Sequence, residues 1–336
     1  MKKVKIIYSG GGARGAYQFG VRCSLEQFFY DKGYKVTDIE GVSIGAYNGL
    51  LDAQNDLSKM GEIWSSKTFW DKTIKGKISL KNALLSYLPF REKGFFKRKP
   101  IEKLLAPQIL KKNIHKNLSI GVVELEQGKY YSVSPNDFKF IEDFSKAVVA
   151  SGVMPAIWQP VENIQAKSFE IKKVIDGGLR NVSPLSFGFD GDLVIIINTR
   201  NSTLGIPKKK VSSNMHSVLK RSLVDIAIDE IFASEVKSFI QVNDLLYQSS
   251  KKDVSLATIN FENKWEHANE KYKPVKIMLI EPNMHLGDSL YFGMQSTKKS
   301  IGAVDRIKEG KRAAAVAVKN FNSSSDNQSF VTSHVQ

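Results

Sequence analysis

The stretch Asp38-Ile39-Glu40-Gly41-Val42-Ser43-Ile44-Gly45-Ala46-Tyr47-Asn48 places a Gly-x-Ser-x-Gly pentapeptide at the end of a short apolar run. The run at residues 36–42 predicts a strand, and the small residues after the pentapeptide favour a helix, so a sharp turn is expected between them. Such a turn strains its central residue, and glycines on either side let two backbones approach closely. The pattern predicts that Ser43 is exposed at the edge of a sheet as a nucleophile, although an ordinary glycine-rich turn would contain the same residues.

A second glycine-rich segment, Gly10-Gly11-Gly12-Ala13-Arg14-Gly15, lies between a predicted strand at residues 4–9 and a helical pattern. Its G-x-G-x-x-G spacing satisfies the dinucleotide-binding fingerprint. Backbone N–H groups at a helix N-terminus can equally stabilise an oxyanion, because both tasks need unpaired donors and a favourable dipole. The oxyanion hole is favoured here, since the second strand, which would supply an acid for the ribose, ends in the serine turn.

A third motif, Asp-Gly-Gly, is formed by Asp176, Gly177 and Gly178 after a predicted strand at residues 171–175. Catalytic carboxylates in open α/β sheets lie at the carboxyl ends of strands, so Asp176 is expected at the same edge as Ser43. Asp-Gly also favours an ordinary turn. From the residues alone, the two interpretations are equally supported.

The order of predicted elements decides the fold class. Strands alternate with helices, and the later elements are a long amphipathic helix over 216–247, a strand over 275–280 and a helix over 298–321. This order predicts an α/β fold in three layers, with a mainly parallel central sheet and helices on both faces. We predict a single domain over 1–321 and, from the Ser- and Asn-rich composition, a disordered tail over 322–336.

Composition limits the class of protein and its compartment. The 336 residues are 42% hydrophobic and 25% charged, as in ordinary globular domains. No apolar stretch approaches the ~20 residues that span a bilayer, and the N-terminal run is too short for a signal peptide. Cys23 is the single cysteine, so no internal disulfide can form and a reducing compartment is expected. We therefore expect a cytoplasmic protein that meets membranes only at their surface.

The charge of the chain indicates an anionic partner, since the net charge is +15. Between residues 72 and 99 there are nine Lys or Arg residues and one acid, Glu92, interleaved with large apolar residues. This mixture predicts that the segment 71–99 is an insert that acts as a lid or faces an anionic phospholipid membrane. A solvated loop with some buried aromatics would have the same composition. We expect no specific nucleic-acid binding, because purely electrostatic attraction fades steeply with salt.

In order and spacing, the three motifs resemble those of the patatin-like phospholipase family. The resemblance runs over residues 4–185 and includes two softer features, Ser151-Gly152-Val153-Met154-Pro155 and Asn181-Val182-Ser183-Pro184. It implies a lipid acyl hydrolase of the phospholipase A or lysophospholipase type that cleaves carboxylic esters of membrane glycerophospholipids. A non-hydrolytic lipid-binding protein on the same fold is the alternative. The resemblance leaves open an activating factor and delivery into a host cell.

The resemblance also implies a role for each motif residue. Ser43 attacks the ester and Asp176 takes its proton without a histidine, so the intermediate is an acyl-serine. A dyad of this kind needs an aspartate of raised pKa and hence a partly buried site. The supporting glycines are Gly41 and Gly45 of the nucleophile elbow, and Gly177 and Gly178 beside the proton acceptor.

The oxyanion hole that the resemblance implies is formed by the backbone of the first glycine-rich segment. The expected donors are the N–H groups around Gly11, Gly12 and Ala13. Arg14 either orients this loop or meets lipid phosphate. The complete set is Gly10, Gly11, Gly12, Ala13, Arg14 and Gly15.

No cofactor or metal is expected. The sequence contains no H-x-x-x-H, C-x-x-C or acidic calcium loop, which agrees with metal-free dyad chemistry. A histidine could still complete a triad in the order Ser, Asp, His. That order belongs to the α/β-hydrolase fold, in which several strands precede the nucleophile elbow. Here a single predicted strand precedes the strand that leads to Ser43, which argues against a triad. The five histidines are His115, His216, His267, His285 and His334.

Overall fold

The fold is seen in a computed structural model of the chain. It describes residues 1–66, 113–155, 158–186, 189–206, 211, 218, 220–251, 257–259, 265–267, 273–298, 300–324 and 328–334. The predicted insert at 71–99 lies outside the described residues. Among the described residues, no helix has both the length and the apolar character needed to cross a bilayer.

Eleven strands occur in the described part of the chain, and nine of them form one central sheet. The other two, β8 and β9, pair only with each other in the described residues. The strands are β1 Lys2–Tyr8, β2 Tyr34–Val42, β3 Asn117–Glu124, β4 Lys129–Val133, β5 Val161–Gln165, β6 Glu170–Asp176, β7 Leu193–Ile197, β8 Ala257–Ile259, β9 Trp265–His267, β10 Lys276–Ile280 and β11 Phe330–Thr332.

The central sheet is mainly parallel, as predicted. Its order is β11-β10-β7-β1-β2-β3-β6-β5, with β4 paired to β3. The six neighbours from β11 to β3 run parallel, whereas β4 and β6 are antiparallel to β3 and β5 is antiparallel to β6. Because β1, β2 and β7 are adjacent and parallel, their carboxyl ends meet at one edge of the sheet.

The helices cover both faces of the sheet. They are α1 Gly15–Ser24, α2 Glu26–Lys32, α3 Ile44–Ala53, α4 Leu57–Ser65, α5 Ile141–Ser151, α6 Ile228–Lys251 and α7 Ala303–Ser323. A π-helical stretch, Lys220–Ala227, leads into α6, and short 3-10 turns occur at Gly12–Arg14, Pro135–Asp137 and Gly177–Leu179.

Strand β7 shows why two helical layers form. All five of its side chains are buried, and successive side chains point to opposite faces. Leu193, Ile195 and Ile197 belong to the core cluster that includes side chains of α1, α3, α5 and α7, whereas Val194 and Ile196 pack in a second cluster with side chains of α6. A strand that is apolar throughout can be accommodated only between two covered faces. The predicted three-layer α/β fold is confirmed.

The prediction of a disordered tail over 322–336 is wrong for residues 328–334. Residues Phe330–Thr332 form β11 at the edge of the sheet, and the N–H of Ile277 donates to the carbonyl of Ser329 at 2.8 Å. Val331 and Ser333 are buried. The polar composition misleads here because an edge strand obtains its hydrogen bonds from the neighbouring strand and needs few apolar side chains of its own.

Candidate active site

The serine turn has the strained geometry that its glycines predict. Ser43 connects β2 to α3 with φ 57° and ψ −128°, a conformation that side-chain-bearing residues rarely adopt. A Cβ added to Gly41 would lie 2.4 Å from the carbonyl oxygen of Gly45. One added to Gly45 would lie 2.2 Å from the carbonyl oxygen of Tyr8. Glycine is therefore required on both sides of the serine, where α3 packs directly against the end of β1.

Ser43 and Asp176 lie side by side although 132 residues separate them in the chain. The Ser43 hydroxyl lies close enough to the Asp176 carboxylate to stabilise its anionic form, and both side chains line one cleft. The same carboxylate accepts the N–H of Gly178 at 2.8 Å from Oδ1. The N–H of Asp176 donates to the carbonyl of Val153 at 3.0 Å, so both the backbone and the side chain of the aspartate are held.

The route by which Asp176 reaches the serine differs from the one expected for a parallel sheet. Asp176 is the last residue of β6, which is antiparallel to β3. Strand β3 extends beyond the end of β2 and then turns back as a hairpin with β4. In the resulting register Val42 faces Gly121 on β3. A Cβ on Gly177 would lie 2.4 Å from the carbonyl oxygen of Gly121 and 2.7 Å from a methyl group of Val42. The overhang of β3 and this close contact bring the two catalytic candidates together.

Burial sets the protonation behaviour of the aspartate. Asp176 is buried, and desolvation raises its pKa to about 6. The nearby Ser43 hydroxyl and the N–H of Gly178 stabilise the anion and offset part of this rise in pKa. A carboxylate with a pKa near neutrality can accept a proton from a hydroxyl and return it later in a cycle.

Only part of the glycine-rich loop can donate to a substrate. Four of its six N–H groups are engaged: Gly10 to the carbonyl of Val182 at 2.9 Å, Ala13 to that of Ser289 at 2.7 Å, Arg14 to that of Gly11, and Gly15 to that of Gly12. The N–H groups of Gly11 and Gly12 make no such bond within the described part of the chain. The expected donor set of residues 10–15 therefore narrows to Gly11 and Gly12, and the N–H of Ala13 is not available.

Residues from distant parts of the chain hold this loop in place. Thr199 donates from Oγ1 to the carbonyl of Gly10 at 2.6 Å, and a Cβ on Gly11 would collide with that same hydroxyl. Arg306 donates from Nη1 to the carbonyl of Ala13 at 2.9 Å.

Arg14 donates from Nε to the carbonyl of Gly287 at 3.0 Å, which favours the orienting role over a contact with lipid phosphate.

A cleft with about 490 Å³ of empty space, partly open to solvent, connects these groups. Its reactive lining consists of Ser43, Asp176 and the loop at residues 10–12. Its remaining walls are mostly apolar. The other lining residues are Met154, Pro155, Gly178, Leu179, Val182, Arg200, Ile228 and Ser289.

Histidines and metal ligands do not take part in the described site. His115, His285 and His334, the three histidines whose side chains are described, do not line the cleft. Within the described ranges, no group of three His, Cys, Asp or Glu side chains is placed to hold a metal ion.

One residue of the site, Ser151, has no counterpart in the motifs. Its Oγ accepts the N–H of Ser43 at 2.9 Å and donates to the carbonyl of Gly121 at 2.7 Å. It ends α5 and opens the Ser-Gly-Val-Met-Pro segment that the sequence already marks. The segment can therefore be recognised from the sequence, but the sequence does not predict that Ser151 contacts the serine turn.

Comparison with known proteins gives one family match and distant structural likenesses. The model of the patatin-like phospholipase family matches residues 6–187, more than half of the chain. No curated protein matches. Among solved structures, VipD from Legionella pneumophila is 14% identical, with a TM-score of 0.42, over 95% of this chain and 67% of VipD. A chain of the ExoU–SpcU complex from the type III secretion system of Pseudomonas aeruginosa is 16% identical, with a TM-score of 0.30, over 74% of this chain and 55% of its own.

The family match covers all three motifs and the residues that surround them. It begins inside β1, before the glycine-rich loop, and ends after the Asp-Gly-Gly turn. The range therefore contains both Ser43 and Asp176. The chain belongs to the patatin-like phospholipase family, a family of lipid hydrolases.

Proposed function

We propose that this protein hydrolyses carboxylic ester bonds of membrane glycerophospholipids with Ser43 as nucleophile and Asp176 as general base. The observation that carries the proposal is that the Ser43 hydroxyl and a buried carboxylate, whose pKa is raised to about 6, lie next to each other in one cleft with the glycine-rich loop. A serine hydroxyl is a weak nucleophile until a positioned base takes its proton. The apolar walls of the cleft suit an acyl chain.

The reaction has two halves. Oγ of Ser43 bonds to the ester carbonyl carbon while its proton moves to Asp176, and the carbonyl oxygen becomes an oxyanion. The N–H groups of Gly11 and Gly12 stabilise that charge, and one such donor contributes about 3 kcal/mol when well aligned. The tetrahedral intermediate expels the alcohol, which leaves with the proton from Asp176. Water then attacks the acyl-serine, Asp176 accepts the proton of the water, and the fatty acid departs as the proton returns to Oγ.

We also propose that the enzyme works as a peripheral protein on an anionic phospholipid surface. The net charge of +15 supports this placement, because each cation near such a surface contributes about 1 kcal/mol. The alternative is a protein that binds lipid on the same fold without turnover.

The test uses purified protein with vesicles of phosphatidylcholine alone or mixed with phosphatidylglycerol. Released fatty acids are identified by mass spectrometry, and 18O-labelled water reports whether the new carboxyl oxygen comes from solvent. Ser43→Ala should abolish release, and a fluorophosphonate probe should label the wild-type protein at Ser43 only. Release that survives Ser43→Ala contradicts the assignment of the nucleophile. Vesicle binding without release or probe labelling would support the alternative.

A further inference from the structure

Arg200 is a cation in the wall of the catalytic cleft. It lines the same cleft as Ser43 and Asp176, and no other Lys or Arg lines that cleft within the described residues. It lies three residues beyond the end of β7, the strand next to β1, whose own end leads into the glycine-rich loop. The topology of the sheet therefore delivers a guanidinium to the edge where the ester bond would be cut.

The position of Arg200 is fixed from two sides. Its neighbour Thr199 donates from Oγ1 to the carbonyl of Gly10, in the glycine-rich loop, at 2.6 Å. The N–H of Thr199 donates to Oγ of Ser9, just before that loop, at 3.0 Å. Its Nη1 pairs with Oδ1 of Asp229, in the first turn of α6, at 2.6 Å. The Arg200 side chain is only 12% exposed. A guanidinium that is mostly shielded from water is screened less than an exposed lysine, although its pair with Asp229 offsets part of its charge.

The charges in the cleft explain what such a cation would do. Asp176 is an acid at the reacting centre, and an oxyanion would form beside it, so a substrate that carries a phosphate would bring a further negative charge into a small space. The planar guanidinium donates two parallel N–H bonds to phosphate oxygens, a geometry that a lysine cannot reproduce. Arg14, the arginine within the loop, donates to Gly287 and does not line the cleft.

We propose that Arg200 binds the phosphate diester of the lipid headgroup and thereby selects glycerophospholipids over neutral acylglycerols. The inference rests on the proposed hydrolysis at Ser43 and adds a determinant of its substrate class. Arg200 acts on the non-reacting part of the substrate, so its contact chiefly affects which lipid is bound and turned over.

The test compares two lipids with identical acyl chains, dihexanoylphosphatidylcholine and 1,2-dihexanoylglycerol, as monomers in solution. Arg200→Gln should lower kcat/KM for the phospholipid by about 10- to 100-fold, the range for a charge-assisted contact to phosphate, and leave the value for the diacylglycerol within about threefold. Arg200→Lys should give an intermediate loss, because the charge remains and the fork is lost. The matched control is Arg180→Gln, an exposed arginine just beyond the Asp-Gly-Gly turn and outside the cleft lining, which should leave both values unchanged.

Equal losses on both lipids in Arg200→Gln would overturn the inference, since they would indicate a purely structural ion pair with Asp229. An unchanged kcat/KM for the phospholipid in Arg200→Gln would overturn it as well. Binding is measured independently of turnover by 31P NMR of the phospholipid with Ser43→Ala protein. The phosphorus resonance should broaden, and it should stay sharp with the double variant that also carries Arg200→Gln.

This second measurement separates the two proposals. If the wild-type protein cleaves neither lipid, the proposed hydrolysis fails, while the NMR comparison still decides the role of Arg200. Inorganic phosphate is added as a competitor to distinguish a headgroup site from a free-anion site. Broadening that inorganic phosphate abolishes at equal concentration, with no preference for the lipid, would overturn the inference in favour of a free-anion site.

Discussion

The N–H of Ser43 donates to Oγ of Ser151 at 2.9 Å, and that same Oγ donates to the carbonyl of Gly121 at 2.7 Å. One buried hydroxyl thus connects the serine turn, the end of α5 and the strand that aligns Asp176. The turn is strained, with φ 57° at Ser43, and such strain persists only where the surroundings hold it.

We expect Ser151→Ala to destabilise the protein by about 1–3 kcal/mol, because it leaves an N–H and a carbonyl without their partner. Hydrolysis should fall about tenfold, as Ser43 loses its backbone anchor. The free energy of unfolding from urea titration and kcat on a short-chain ester measure the two effects. The control is Ser145→Ala, a buried serine on the same helix, which should change either quantity little. Equal behaviour of the two variants would contradict the anchoring role.

The glycine after the nucleophile offers a test of the close contact in the turn. Gly45→Ala would place a Cβ 2.2 Å from the backbone oxygen of Tyr8, so we expect a loss of about 3 kcal/mol or more in stability and no measurable hydrolysis. Gly33→Ala is the control, because Gly33 has φ 65° with open space around it and should lose only about 1 kcal/mol of stability. The midpoints of thermal unfolding rank the stabilities of the two variants. A Gly45→Ala protein as stable as Gly33→Ala would show that α3 does not pack this closely against the end of β1.

The raised pKa of Asp176 predicts how activity depends on pH. The carboxylate must be ionised to accept the proton of Ser43, so kcat/KM should rise with pH and level off above about 6. The pH profile of kcat/KM on a substrate without ionisable groups measures this. A profile that is flat between pH 5 and 7 would exclude Asp176 as the base.

The same pKa predicts an effect on stability with a definite sign. The folded-state pKa of Asp176, about 6, lies above the ordinary value of 3.8, so between these values the folded protein binds more protons than the unfolded chain. Its contribution to stability is therefore full below pH 4 and is lost as the pH rises through 6, at a cost of about 3 kcal/mol. Asp176→Asn should be more stable than the wild type by up to that amount at pH 7.5 and equally stable near pH 4. Urea titrations at the two pH values test this, and a difference independent of pH would contradict it.

Glu235 of α6 supports the segment next to the glycine-rich loop. Its Oε2 accepts the N–H groups of Val182 and Ser183, both at 3.0 Å, while the carbonyl of Val182 accepts the N–H of Gly10. Burial raises the pKa of Glu235 to about 7, and the two N–H donors offset part of the rise. The two N–H groups that it accepts show that this carboxyl group holds this segment as a hydrogen-bond acceptor.

We expect Glu235→Ala to lower kcat about tenfold and to cost about 1–3 kcal/mol of stability, because two N–H groups lose their acceptor. Glu235→Gln retains an acceptor oxygen and should keep kcat within about threefold. KM should change little in either variant, since Glu235 does not line the cleft. If Glu235→Gln lowers kcat as much as Glu235→Ala does, an acceptor oxygen alone is not enough and the negative charge of Glu235 is required.

The local parts of the site could be predicted from neighbouring residues. A strand, a glycine-flanked serine and a helix follow each other within a dozen residues, and the backbone conformation of such a turn depends on its own glycines. The uninterrupted apolar run of β7 is likewise a local feature, typical of a strand buried on both faces. These features depend on short-range sterics and on the periodicity of side chains, both of which are contained in neighbouring residues.

Which groups meet in the site depends on contacts between distant segments of the chain. The acceptors of the Gly10 and Ala13 N–H groups are the carbonyls of Val182 and Ser289, so only Gly11 and Gly12 remain as the proposed donors within the described part of the chain. Ser151, Glu235, Arg200 and the edge strand β11 likewise reach their places through contacts between segments far apart in the chain. The physical reason is that hydrogen-bond partners and cleft walls are set by pairing across space, and the strand register that produces this pairing depends on the whole sheet.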